Sequence, residues 1–122
     1  MSDKEMPITV TYELTSGGTA LVEKLMAATP HEMVTVYANR GNRVHITHYS
    51  MLGNQPEMSL IKAEGGHFEF ALEGLNGISD KNEMHMHAVS IFLKDHTLKQ
   101  EWTNYKDNKK SEVAVFEFTK KS

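Results

Sequence analysis

A chain of 122 residues holds one ordinary domain and is too short for two. It has no cysteine, which excludes a disulfide scaffold, a thiolate zinc centre and a cysteine nucleophile. Thirteen Lys and Arg against 16 Asp and Glu leave a net charge of −3, and Arg40 and Arg43 are the only arginines, a poor footprint for a nucleic-acid binder. No apolar run approaches the roughly 20 residues of a membrane-crossing helix. The opening MSDKEMPITV lacks the apolar stretch of a secretion signal. The default expectation is a cytoplasmic protein without a cofactor, partnered by neither nucleic acid nor membrane.

Apolar and polar residues alternate with period two nearly from end to end, and the helical i, i+3, i+4 pattern nowhere persists. The first predicted strand carries Ile8, Val10, Tyr12 and Leu14 on one face, with Pro7 at its start. The second spans 19–26 and has residues that would also suit two turns of helix. Read as a strand, it puts Glu23 on one face with Leu21 and Leu25. Segments 33–39, 43–51, 58–64, 67–73, 85–94, 98–105 and 112–120 follow. Phe68, Phe70 and Leu72 share a face, as do Val89, Ile91 and Leu93, and again Ala114, Phe116 and Phe118. Between the segments, Ser16-Gly17-Gly18, Asn39–Asn42, Glu64-Gly65-Gly66 and Asp107-Asn108 supply residues that tolerate positive φ. Pro30 and Pro56 fall in connections, where a missing donor does little harm. The pattern predicts a single all-β domain over 1–122, with 1–6 and 120–122 frayed. About nine antiparallel strands form a meander. Closure into a barrel would remove its two long edges, and a barrel of this size holds side chains or one small ligand.

Successive connections of a meander fall at alternate ends. Connections 15–18, 39–42, 65–66 and 95–97 are short, whereas 27–32, 52–57 and 74–83 are long, followed by a shorter 106–111. The loop-bearing end is the expected ligand mouth. His48, in phase with Val44 and Ile46, should point inward near it. His85 and His87 should do the same, in phase with Val89, Ile91 and Leu93. Trp102, in phase with Leu98 and Gln100, lies toward that end too, and His31, Asn54 and Gln55 sit in the loops themselves. Met26, Met33, Met51, Met58, Met84 and Met86 flank these segments as adaptable fillers. Lys106, Lys109 and Lys110 read as a solvated tip.

Three chemistries are open to these residues. A mostly apolar pocket needs a few polar anchors: Tyr12, Glu23 and Tyr37 inside, His48, His85, His87, Gln100 and Trp102 toward the mouth, and His31, Asn54 and Gln55 in its loops. His85 and His87 are a His-x-His pair about 7 Å apart in Cα. With His48 they would offer zinc three imidazoles and leave one position open. The plainer reading is a hydrogen-bonded polar rim. Glu23 could trade protons with Tyr12, Tyr37, His48 or His87, the acid–base chemistry of a small isomerase or decarboxylase. The plainer reading there is a solvated or lysine-paired glutamate.

Several stretches keep a consistent order: 16–23 (SGGTALVE), 31–37 (HEMVTVY), Thr47-His48-Tyr49, Gly53-Asn54-Gln55-Pro56 with Met58, His85-Met86-His87, and Gln100-Glu101-Trp102. Together they resemble a bacterial family of lipocalin-like (calycin) barrels of unknown function. The resemblance implies a half-open barrel and says little of activity. It would place a cysteine where Ser50 stands and a basic residue where Glu57 stands. It would also place a helix and a Gly-x-Trp strand ahead of the segment seen here. Without that strand, either 8–14 or 112–120 should lack a partner on one edge, which invites pairing with a second copy. The expectation is a non-enzymatic module binding a small apolar or amphipathic ligand. A calycin-type acid–base enzyme is the alternative, and a homodimeric structural module the third.

Overall fold

The computed structural model describes residues 8–120. Nine strands follow one another: β1 (Val10–Thr15), β2 (Ala20–Leu25), β3 (Met33–Arg40), β4 (Arg43–Tyr49), β5 (Glu57–Glu64), β6 (His67–Leu72), β7 (His85–Lys94), β8 (Thr97–Lys106) and β9 (Lys109–Thr119). Each pairs antiparallel with the next, so strand order in the single sheet is chain order. The segment that also suited a helix is a strand because it is paired on both sides. Leu21 faces Leu14 of β1 and Tyr37 of β3, and Leu25 faces Val10 and Met33.

The sheet is not flat. With strands about 4.8 Å apart, β8 of a flat meander would lie about 34 Å from β1. Instead the Gln100 amide of β8 donates to the Tyr12 hydroxyl of β1 at 3.0 Å. The sheet therefore curls into a half-barrel. On the described residues β1 pairs only with β2, and β9 only with β8. Each keeps one edge without a partner strand among these residues, so the sheet stands as a half-barrel and not as the closed barrel that the alternation pattern predicts. The concave face holds the core: Leu25, Ile46, Met58, Phe70, Met86, Val89, Ile91 and Trp102, with Leu98, Ala114, Phe116 and Phe118 half-buried against them.

Two bulges interrupt the alternation. In β5, Leu60 faces Phe70 and Lys62 faces Glu69, which leaves Ile61 unpaired and 61% exposed. In β7, Met86 faces Asn104 and Ala88 faces Thr103, which leaves His87 unpaired. An extra residue changes the phase of everything beyond it. Met86 therefore joins Val89 and Ile91 in the core, and His85 and His87 fall out of the expected phase with Val89 and Ile91, although His85 is buried at 2% exposure. The last hairpin is also tighter than its sequence spacing implies. Asp107 and Asn108 adopt φ of +55° and +60°, the left-handed pair that a two-residue turn demands, and β9 begins directly after them.

At the other end the long connections are knitted together. The Gln55 amide donates to Gly77 O at 2.9 Å, and the Glu57 amide to Asn76 O at 3.1 Å. This contact requires glycine: Gly77 has φ +86°, and a Cβ there would lie 1.7 Å from Gln55 O. Gly77→Ala should therefore destabilise by well over ~1 kcal/mol, the scale on which glycine replacements act at compatible sites. Thermal melting should fall by more than about 4 °C. Gly53→Ala shares the φ of +86° but meets no atom within 4 Å, so it measures the strain alone. An equal loss in both variants would show that the close approach carries no stability.

Lys120 is tied by its amide to His96 O at 2.7 Å. Pro7 and the remaining residues expected to fray, 1–6 and 121–122, lie outside the described residues. Among those described, no helix is long and apolar enough to cross a membrane.

Candidate functional site

The curl brings side chains from five strands together on the concave face. Glu23 occupies an inward position of β2, facing Tyr12 across β1 and Thr35 across β3, and is buried at 3% exposure. Its Oε2 accepts from the Tyr12 hydroxyl at 2.6 Å, from the Tyr37 hydroxyl at 3.4 Å and from the Gln100 amide. Gln100 is fully engaged. Its Nε2 also donates to Tyr12, and its Oε1 accepts the Trp102 indole N–H at 2.8 Å. Trp102 meets the His48 ring edge-on, with centroids 5.2 Å apart. His48 Nδ1 shares a 2.7 Å hydrogen bond with Thr35 Oγ1. Tyr37 packs its edge against Phe70 at 6.0 Å. Period-two spacing within unbroken strands explains why Gln100 and Trp102, or Leu21 and Glu23, share this face.

The burial of the cluster shapes its protonation. Loss of water raises the Tyr12 pKa, and the neighbouring Glu23 charge raises it further; the same causes act on Tyr37. Both phenols stay protonated and remain donors. Burial lowers the His48 pKa to about 4, so its imidazole is neutral at pH 7. The ion pairs formed by the described residues are Arg40–Glu57, His45–Glu73, His67–Glu69 and Lys99–Glu101. Glu23 takes part in none of them.

Next to the cluster lies an open groove of about 160 Å³, walled by Leu14, Leu21 and Val44 and reaching Tyr37. Its rim includes Gly18 and Asn39, so it opens at the end of the half-barrel with the tight turns. A second depression of about 280 Å³ runs along the β1–β2 hairpin past Thr11, Glu13, Val22 and Lys24, and touches only Tyr12 of the cluster. These strand positions alternate with those facing the core.

Of the residues singled out by sequence, Tyr12, Glu23, Tyr37, His48, Gln100 and Trp102 come together. The loop residues do not join them. Asn54 is a buried latch: its Nδ2 donates to Glu83 Oε2 and to Met84 O, both at 2.9 Å, and its Oδ1 accepts from Ser50 at 3.0 Å. Gln55 is exposed and turns back to Gly53 O at 3.1 Å, and His31 is exposed. Hydrogen bonds tie the long connections to one another, and the groove beside Tyr37 lies at the opposite end from the expected mouth.

His85 and His87 lie with Tyr105 on the face away from Trp102. His85 Nδ1 bonds Glu83 O at 2.8 Å and its Nε2 lies 3.2 Å from His87 Nδ1, while His87 stacks on Tyr105 at 3.8 Å. Partial burial and the adjacent His85 lower the His87 pKa. The zinc set of His48, His85 and His87 is therefore split across the sheet, and so is the acid–base set of Glu23, His48 and His87. Among the described residues no group of three His, Cys, Asp or Glu side chains gathers to hold a metal ion. Sequence reading missed Thr35, which its position opposite His48 and in phase with Tyr37 could have shown.

The fold and site define an open β half-barrel with a buried carboxylate–tyrosine–amide cluster on its concave face. No protein family, curated protein or solved structure matches the chain.

Proposed function

We propose that the protein is a non-enzymatic binding module of lipocalin-like design, which holds a small amphipathic molecule on the concave face of its half-barrel. The observation that carries this reading is the continuity of an apolar groove with a polar cluster through one residue, Tyr37. Ligand sites combine apolar walls with a few placed polar groups in this way. Leu14, Leu21 and Val44 contact the apolar part of the ligand, and Tyr37 and Glu23 take its polar end. An acid–base enzyme is less well supported, because the set it needs is divided by the β7 bulge and His48 faces Trp102 and Thr35.

Trp102 is the sole tryptophan, and its N–H is linked through Gln100 to Glu23. Ligands reaching Glu23 should therefore alter its emission. Titration with six-carbon amphiphiles (hexylamine, hexanol and hexanoate) is expected to give a saturable change with at least one of them. Val44→Phe, which fills the groove, should abolish it. Lys109→Ala, remote at the β8–β9 turn, should leave it intact. No saturable response from any of the three would end this reading.

A further inference from the structure

We infer that the groove takes the primary ammonium group of a short alkylamine, with Glu23 as counter-ion and the Gln100 amide as the placeholder that the ammonium displaces. This inference rests on the binding reading above and names its ligand class. Three features of the cluster lead to it.

The first is the unbalanced carboxylate. Glu23 is buried at 3% exposure, yet among the described residues every donor that reaches its Oε2 is neutral: two phenols and one primary amide. Its absence from the ion pairs of the described residues is unusual for so buried an acid, because buried charges are ordinarily paired. Tyr12 and Tyr37 hold their protons, so they donate but bring no positive charge. A cation from solution would supply what the fold leaves out. Charge-assisted hydrogen bonds are also stronger than the neutral ones it would replace.

The second is the kind of cation that fits. The donors already present point N–H or O–H groups at Oε2, so the replacing group must also donate. An ammonium with N–H bonds meets this need, whereas a quaternary ammonium has no proton to give. Tyr12 and Tyr37 add electron-rich rings near the charge. A carboxylate ligand would instead meet Glu23 with like charge. An alcohol would exchange one neutral donor for another and gain nothing over Gln100.

The third is size. The groove holds about 160 Å³. With a water's share of liquid near 30 Å³, this is room for about five heavy atoms beyond the polar end. Leu14, Leu21 and Val44 give that arm an apolar lining. Gln100 can yield its place because Trp102 holds only its oxygen end, at 2.8 Å. Turning the amide away from Glu23 disturbs the indole bond, which makes Trp102 the reporter.

The test compares hexylamine, hexanol, hexanoate and hexyltrimethylammonium at pH 7 by Trp102 emission. Hexylamine, which is an ammonium at that pH, should bind at least tenfold more tightly than hexanol and hexyltrimethylammonium, and hexanoate should not bind. In Glu23→Gln the preference for hexylamine over hexanol should fall to about one, with hexanol still bound. Leu14→Arg places a guanidinium at the groove rim at a site 67% exposed, where folding tolerates it. The lost apolar contact weakens both compounds alike, and the added positive charge acts on hexylamine alone, so hexylamine should weaken at least fivefold more than hexanol, which keeps the test informative if Glu23→Gln does not fold. Hexanol binding as tightly as hexylamine, or a preference that survives in Glu23→Gln or Leu14→Arg, overturns the ammonium assignment while binding itself stands. Silence from all four compounds overturns both.

Discussion

Phe70→Ala is expected to lower the unfolding free energy by about 3–5 kcal/mol, the range for deleting a buried phenylalanine side chain. Phe70 is 4% exposed at the centre of β6, facing Leu60 of β5 and Val89 of β7. Its ring also supports Tyr37. The variant therefore removes core packing and the wall that positions one donor to Glu23. A domain of this kind has about 5–15 kcal/mol of stability in all, so the loss is a large share. Urea denaturation would read it as a lower midpoint with an unchanged slope. Val115→Ala supplies the contrast. Val115 lies on β9 between the inward Ala114 and Phe116 and is 54% exposed, so its loss should stay within about 0.5 kcal/mol. Equal losses at the two sites would mean that the concave and convex faces have been assigned in the wrong phase.

The same phase argument separates what the sequence reveals from what it hides. Strand positions are legible because each strand buries one face, and alternation records that face residue by residue. Glu23, Tyr37, His48, Gln100 and Trp102 can be placed on the concave side by counting in twos from Leu25, Met33, Ile46 and Leu98. The count fails at His85 and His87 because spacing registers residues and not hydrogen-bonded pairs. One unpaired residue at position 87 reverses the face, and nothing in His-Met-His-Ala marks a bulge. The partnership of Gln100 with Glu23 is hidden for another reason. It spans 77 residues and depends on how tightly nine strands curl, a property of the whole sheet. Loop length does not reveal how the loops bond to one another. The long loops carry the groups that tie them together, Asn54 against Glu83 and Gln55 against Gly77. The tight turns bring small residues such as Gly18 to the rim of the groove.

Mild acid should weaken the fold through His48. Burial lowers its pKa from 6.5 to about 4. As the pH falls below 6.5 the unfolded chain takes up a proton at this imidazole, while the folded protein does not until about pH 4. The unfolded state then binds more protons, so stability is fully present above pH 6.5, falls across the window from 6.5 to 4, and levels below it. At 1.36 kcal/mol per pKa unit the loss is on the order of 3 kcal/mol. The cause is desolvation and not a broken bond, because a protonated Nδ1 can still donate to Thr35 Oγ1, 2.7 Å away. His87 shifts in the same direction, but it is less buried and on the other face, so its share is small. Urea unfolding of wild type and His48→Phe at pH 7, 5.5 and 4.5 isolates the effect. Carboxylates titrate alike in both proteins and cancel in the difference, and loss of the Thr35 bond adds only a constant offset. Wild type should lose its margin steadily over that window relative to the variant. A difference that stays flat would mean that water reaches the imidazole, and the interior beside Trp102 would then be wetter than its packing against Phe116 at 4.7 Å implies.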